Sequence, residues 1–262
     1  MTRKYYKYRS LADDSRKFTK DIFDRNQLYF AAPLEFNDPF ESRYRQEWPG
    51  SHDDHVRWLT GFIMAEHRLP KTLARTVAEQ ELLQQSLESR FSDLDDVPVH
   101  SFRRKSLVLC LSRTWSSVLM WSHYSDSHRG ICLEFEQRHG CPFWGRIRDV
   151  VYSDVAPVIN MLAFGSRANW SQAKEDDLVR KTLLTKAKCW EYEQESRICL
   201  LFDEKRLHVF PKRSLSGVIF GCQTPPEHVE LVRKWCGNRQ RPVALKRVQL
   251  RKGRYQLELV NV

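Results

Sequence analysis

The stretch WEYEQESRICLLF, residues 190–202, decides how this chain reads. Its last five residues form an apolar run, the pattern of a strand buried on both faces. Glu191, Glu193 and Glu195 lead into the run at alternating positions, and Arg197 keeps their parity. On a strand, side chains two apart share a face. Three carboxylates in such a row repel one another unless they are solvated or meet cations, and Arg197 is placed to neutralise Glu195 or Glu193. A carboxylate at a strand entrance can stabilise positive charge developing in a ligand or orient a hydroxyl. A salt-bridged surface strand would carry the same residues. Glu195 is the candidate for the inward carboxylate because it lies closest to the apolar run.

Outward from this strand, the second half of the chain is mostly extended. Strands are expected at 106–112, 130–135, 150–153 and 217–221, with a closing hairpin of 243–250 and 254–260 whose alternation leaves one face wet. Helices are expected over about 171–188 and 226–236. Near the start, residues 5–10 and 27–32 read as strands around a short helix at 18–25, and Pro33 stops the second strand. Between 53 and 91 apolar residues recur at three and four spacing, interrupted at Pro70, which predicts a pair of helices. No repeat or low-complexity linker divides the sequence. The expectation is an α+β fold, a single domain over 1–262 with a mostly antiparallel sheet and a helical insertion at about 51–100.

At 262 residues, 41% hydrophobic and 12% aromatic, the chain can bury a substantial core. It has no apolar run of 18 residues, and its opening MTRKYYKYRS lacks the apolar centre of a signal peptide. A cytoplasmic protein with no membrane partner is expected. The seven cysteines, none in a C-x-x-C pair, agree with reduced thiols in apolar strands. Net charge +10 and pI ≈ 9.3 would draw the protein toward polyanions, nucleic acid foremost. The charge is dispersed, however, in short groups such as Arg103–Lys105 and Lys212 with Arg213, and a solvated basic surface would read the same way.

Three other stretches hold more polar and aromatic specificity than a core requires. In YKYRS, Tyr6 and Tyr8 share one face and Lys7 and Arg9 the other, and an arginine on a strand can grip a phosphate with two parallel hydrogen bonds. In LYFAAPLEFNDPFES, Tyr29 and Phe30 end a strand and Asn37-Asp38-Pro39 marks a tight turn. In LMWSHYSDSHRGICLEF, Trp121, His123, Tyr124, Asp126 and His128 precede a strand, as a pocket-lining loop or a hydrogen-bonded turn would. His123 and His128 are badly spaced for zinc, so no metal is expected. The sequence contains no phosphate loop, G-x-G-x-x-G, H-E-x-x-H or G-x-S-x-G motif.

Taken in order, YKYRSL, LYFAAPLEFNDPFE, LMWSHYSDSHRGICLEF, KCWEYEQESRI and VIFGC resemble a bacterial family of unknown function, number twenty-nine seventy-one. FNDPFE and W-S-H-Y-x-D-x-H-x-G-x-C-L-E-F are the specific motifs. A more distant likeness is to the ADP-ribosyltransferase superfamily. That likeness implies a split β-sheet with an Arg on the first strand, an aromatic motif on the next and a Glu opening a later one. Arg9, Tyr29 in LYFAAP and Glu195 in QESRICL are similar to these markers, although no Gly precedes Tyr29 and no Ser-Thr-Ser triplet occurs. The resemblance implies NAD as a substrate and no metal, with Glu195 and Arg9 catalytic. Arg9, Ser10, Tyr29, Phe30, His123 and Tyr124 would hold the NAD. It also implies a toxin or defence effector modifying nucleic acid (RNA or DNA) or protein, with an antitoxin as a further partner. Two alternatives stay open: a metal-independent nuclease using His123, His128 and Glu195, and a non-catalytic nucleic-acid- or partner-binding domain.

Overall fold

In the computed structural model, which describes residues 3–92, 98–137, 140–164 and 170–262, an eight-stranded sheet forms around the strand Lys4–Arg9 (β1). The other members are β2 (Ser106–Ser112), β3 (Ile131–Glu136), β4 (Arg148–Asp149), β5 (Glu195–Leu201), β6 (Leu215–Phe220), β7 (Ala244–Leu250) and β8 (Leu257–Asn261). Their spatial order is β8-β7-β6-β3-β1-β2-β5-β4. β1 runs antiparallel to both β2 and β3, β3 to β6, β7 to β8 and β5 to β4, while β6 and β7 are parallel. The architecture is therefore α+β with a mostly antiparallel sheet, as the strand-rich sequence predicts. Ile131, Cys132, Leu133 and Phe135 of β3 and Val218, Ile219 and Phe220 of β6 are fully buried, which explains why these strands read as continuous apolar runs.

The chain packs as two compact units. One comprises Met1–Ala31, Leu107–Val150 and Lys188–Val262 and carries the sheet; the other comprises Ala32–Ser106 and Val151–Ala187. Within the second unit, the helices His52–His67 and Lys71–Gln84 pack together, with Leu87–Arg90 and Pro98–Arg104 following, where the helical insertion is expected. The first of these starts at a capping box, in which Ser51 and Asp54 satisfy each other's backbone N–H. Residues 151–187 add to this unit two short parallel pairs, Arg45–Glu47 with Val158–Asn160 and Val151–Ser153 with Thr185–Ala187.

Several sequence expectations change, among them the helix expected over 171–188, which stops at Thr182 and gives way to the strand Thr185–Ala187, and the strand expected over 27–32, which ends at Tyr29. The segment expected as a loop around His123 opens with a helix, Val118–Tyr124, capped by the Ser117 side chain on the Met120 N–H. Residues 188–193 are a 3-10 turn, so Glu191 and Glu193 do not continue the strand pattern that would align them with Glu195.

After the Val118–Tyr124 helix the chain turns sharply. Asp126, Ser127 and His128 are consecutive left-handed residues, with φ of 48°, 48° and 69°. Backbone bonds hold them: His128 N donates to Trp121 O at 3.1 Å and Gly130 N to Ser125 O at 2.8 Å. Gly130 then passes against the Arg9 carbonyl and Gly221 against the His128 carbonyl, each so closely that a Cβ would overlap the oxygen. The turn thus joins the ends of β1, β3 and β6. Gly221→Ala should destabilise the protein by about 2–3 kcal/mol through forced backbone movement, whereas Gly61→Ala, whose methyl would meet nothing, should be neutral or stabilising; denaturant melts of both variants check this.

Candidate functional site

The side-chain alternation of β1 divides the predicted site residues between two faces of the sheet. Tyr6 and Tyr8 pack with Met120, Trp121, Cys132 and Ile219, and the Tyr8 and Trp121 rings meet edge-on at 5.1 Å. Lys7 and Arg9 point the other way, by the two-residue period. There Lys7 Nζ donates to the Cys110 carbonyl at 3.1 Å and Arg9 Nε to Thr19 Oγ1 at 3.2 Å.

Glu195 lies on the Lys7 face. It is buried, and its two oxygens accept from Nε and Nη2 of Arg197, each at 3.0 Å. Arg197 is itself wholly buried. Burial raises the Cys110 thiol well above the usual thiol range, reinforced by the charge of Glu195 next to it, so this cysteine stays neutral and unreactive. Burial, followed by the charge of Arg9, brings the Lys7 ammonium down to about 8.

Lys7 and Arg9 also line a small pocket with Gln27 and Tyr29, roofed by Phe18 and Ile22 of the helix Asp13–Asp24. The Tyr29 ring is partly exposed, and the Arg206 guanidinium lies over it with Cζ 5.6 Å from the centroid. The Gln27 side-chain oxygen is buried without a hydrogen-bond partner. Asp21 adds a carboxylate to the pocket's lining, and at about 20 Å³ the pocket has room for roughly one water molecule, so a ligand would have to enter from its open edge at Tyr29.

The remaining candidates lie elsewhere. Phe30 is buried and meets His208 and Phe143 edge-on, so it is a core residue. Ser10 Oγ accepts the Ala12 N–H at 3.1 Å where the helix Asp13–Asp24 begins. Tyr124 packs on the Tyr6–Tyr8 face and donates to Glu193 Oε1 at 2.7 Å. His123 is exposed, with ring contacts to Tyr124 and Tyr192. His128 Nε2 is 3.0 Å from Ser122 Oγ, and burial lowers its pKa. Arg9 and Tyr29 thus come together in one pocket with Glu195 on the same sheet face, whereas His123 and Tyr124 belong to the opposite face.

Lys7 and Gln27 are the residues that sequence reading passes over. Lys7 carried a signal, since it shares the parity of Arg9. Gln27 carried none, because only the burial of its oxygen distinguishes it. No disulfide joins any of the seven cysteines. Among the described residues no group of three or more His, Cys, Asp or Glu could hold a metal, and no helix is long and apolar enough to cross a membrane.

Three measurements test this geometry. Glu195→Gln should cost roughly 3–5 kcal/mol in denaturant titration, because it leaves the Arg197 charge buried without its partner. Lys7 titrates near pH 8 in the folded chain and at its ordinary 10.5 when unfolded. Between those values the unfolded state binds more protons, so stability should rise with pH across this window, and Lys7→Met should remove that rise. Binding of inorganic pyrophosphate, by calorimetry, should show the opposite sign, weakening as pH climbs through about 8 in the wild type and staying flat in Lys7→Met.

No curated protein and no solved structure matches the chain. The segment that carries the His128–Gly130 turn, Glu193, Glu195 and Arg197, residues 120–198, matches the model of a family described as a protein of unknown function, DUF2971, and the chain's resemblance to that family stands on this segment.

Proposed function

We propose that the protein is an NAD-dependent ADP-ribosyltransferase-like enzyme of the cytoplasm, acting as a toxin or defence effector, with the Arg9–Tyr29 pocket as its NAD site. One observation carries this reading: Arg9 at the end of β1 and Tyr29 of the short strand Gln27–Tyr29 line the same pocket, on the face that holds Glu195. Lys7 and Arg9 would take the pyrophosphate, Tyr29 would stack on the nicotinamide, and the Gln27 oxygen would accept from its carboxamide. In the reaction, the bond from the ribose C1′ to nicotinamide breaks and nicotinamide leaves with the electron pair. A nucleophilic oxygen or nitrogen of the acceptor bonds to C1′ and releases its proton to solvent. Negative charge near C1′ stabilises the oxocarbenium-like state, the task carboxylates perform in glycoside hydrolysis. The net charge of +10 favours a nucleic-acid acceptor over a basic protein.

A second reading is favoured by the bidentate Glu195–Arg197 pair. Both carboxylate oxygens are engaged, so Glu195 can be purely structural and the chain a non-catalytic binding domain. The residues weighed for a nuclease, His123, His128 and Glu195, do not converge: the Trp121 side of the sheet carries both histidines, and Glu195 lies across it.

The test is transfer of label from adenylate-labelled NAD into a bacterial lysate, followed by nuclease or protease digestion. Transfer should fall at least about tenfold in Tyr29→Ala, the scale of one lost stacking contact, with the variant's melting temperature unchanged. Neither transfer nor NAD consumption by the wild type would leave the binding-domain reading in its place.

A further inference from the structure

A larger cleft opens in the same unit at the far end of the helix Asp13–Asp24, about 680 Å³ in volume, within the range of nucleotide-sized sites. Its walls are the end of that helix, the turn Lys212–Ser214 and the segment after the helix Pro226–Gly237. Lys212, Arg213, Arg239 and Arg241 line it together with the amides of Asn238 and Gln240. The carboxylate at its edge, Asp24, is paired with Lys20.

Arg239 explains why this cleft has a definite shape. Its Nη1 donates to Phe23 O at 2.7 Å, and its Nη2 donates to Asn26 Oδ1 at 2.7 Å and Lys212 O at 2.9 Å. One guanidinium thereby ties the helix end to the Lys212 turn. It also answers the electrostatic objection. The helix Asp13–Asp24 ends here and the helix Pro226–Gly237 ends beside it, and helix C-termini carry partial negative charge that attracts cations for purely structural reasons. The Arg239 side chain takes the Phe23 carbonyl, its backbone N–H takes the Cys236 carbonyl at 3.0 Å, and the Arg25 N–H takes the Asp21 carbonyl. The side chains of Lys212, Arg213 and Arg241 take no part in these bonds.

Several cations on this chain are neutralised locally. Arg16 pairs with Asp13, Arg129 with Asp126, Arg180 with Asp177 and Arg233 with Glu230, each within one helical turn or one tight loop. Lys212, Arg213 and Arg241 form no ion pair among the described residues, and all three are exposed at one cleft. Like charges held together without counter-charge repel, and a bound polyanion relieves that repulsion.

We propose that this cleft binds the phosphate backbone of a single-stranded nucleic acid, with Lys212, Arg213 and Arg241 on the phosphates and Asn238 and Gln240 donating to phosphate or sugar oxygens. A strand, rather than a free nucleotide, fits because the cations are borne by segments on opposite walls of an open cleft, so successive phosphates can be reached. The site needs no NAD and holds whether or not the Arg9 pocket is an enzyme's.

The experiment is fluorescence anisotropy of a labelled single-stranded 12-mer RNA on the full chain, titrated from 50 to 200 mM salt. The cleft variant carries Lys212→Gln, Arg213→Gln and Arg241→Gln. The control carries Arg251→Gln, Lys252→Gln and Arg254→Gln, which removes the same charge from the exposed turn between β7 and β8. Losing three phosphate contacts should reduce the salt slope of log K by about 2, with at least a tenfold loss of affinity at 50 mM salt. The control should lose less than threefold, and both variants should melt as the wild type does. Equal weakening in both variants would mean diffuse attraction and overturn the site, as would no effect in either. AMP or inorganic phosphate displacing the RNA at concentrations near the RNA's own Kd would make it a small-phosphate site and overturn the strand. So would wild-type binding confined to phosphatidylglycerol vesicles.

Discussion

The sheet face that carries the Arg9 pocket is organised by one buried ion pair. Arg197 is without solvent contact, and a guanidinium in that position is tolerable only if a carboxylate meets it with good geometry. Glu195 does so with both oxygens because it stands two residues away on the same strand. The pair fixes the register of β5: a shift of one residue would carry the charged pair and its apolar neighbour Ile198 to the wrong faces. It also sets the field of the neighbouring pocket. Lys7, Arg9 and Arg197 supply three positive charges against the carboxylates of Glu195 and Asp21, so the excess on this face is a small positive one. The lowered pKa of Lys7 is a sign of the same excess: burial makes its charge costly, and Arg9 adds to that cost.

The polar aromatic density around His123 has a different cause. Three left-handed residues in succession cost roughly 1–3 kcal/mol each, and the surrounding bonds must hold them. Ser125 Oγ donates to the Ile131 carbonyl and Thr224 Oγ1 to the Gly130 carbonyl, while the Gly221 N–H reaches the same Gly130 oxygen. The serines, histidine and glycines of this motif build a clamp across the ends of three strands. Its position leaves Arg9, the last residue of β1, with a fixed backbone, since the Arg9 carbonyl is the surface on which Gly130 rests.

Local rules made much of this legible in the sequence. The alternation in YKYRS assigns Tyr6 and Tyr8 to one face and Lys7 and Arg9 to the other, and the helices on either side of Pro70 follow from apolar spacing. Where the reading failed, a tertiary bond had overridden a local period. Glu193 should have aligned with Glu195. Instead Ser112 Oγ takes the Glu193 carbonyl at 2.6 Å and Tyr124 its carboxylate, Gln194 adopts φ 45°, and the strand begins only at Glu195. The parallel pairs of residues 151–187 were illegible for another reason. Each strand is three residues long and its partner is more than thirty residues away, so no turn signal announces the pairing.

Charge shows the same limit from the other side. Along the sequence Lys212, Arg213 and Arg241 are a short basic group and a distant single residue, indistinguishable from the basic positions scattered through the chain. Folding does two things that composition cannot express. It gives most helix-borne arginines a carboxylate one turn away, so that they contribute little net field beyond a Debye length. It also brings three residues without an ion pair among the described residues, Lys212, Arg213 and Arg241, to a single cleft, where Arg239 takes the Phe23 carbonyl. The useful quantity is therefore not the net charge of +10 but the charge left over after local pairing, and at this cleft that remainder is a connected site. A polyanion meeting the protein would be drawn by the total and held by the remainder, which places binding energy at the end of the same helix whose middle roofs the Arg9 pocket.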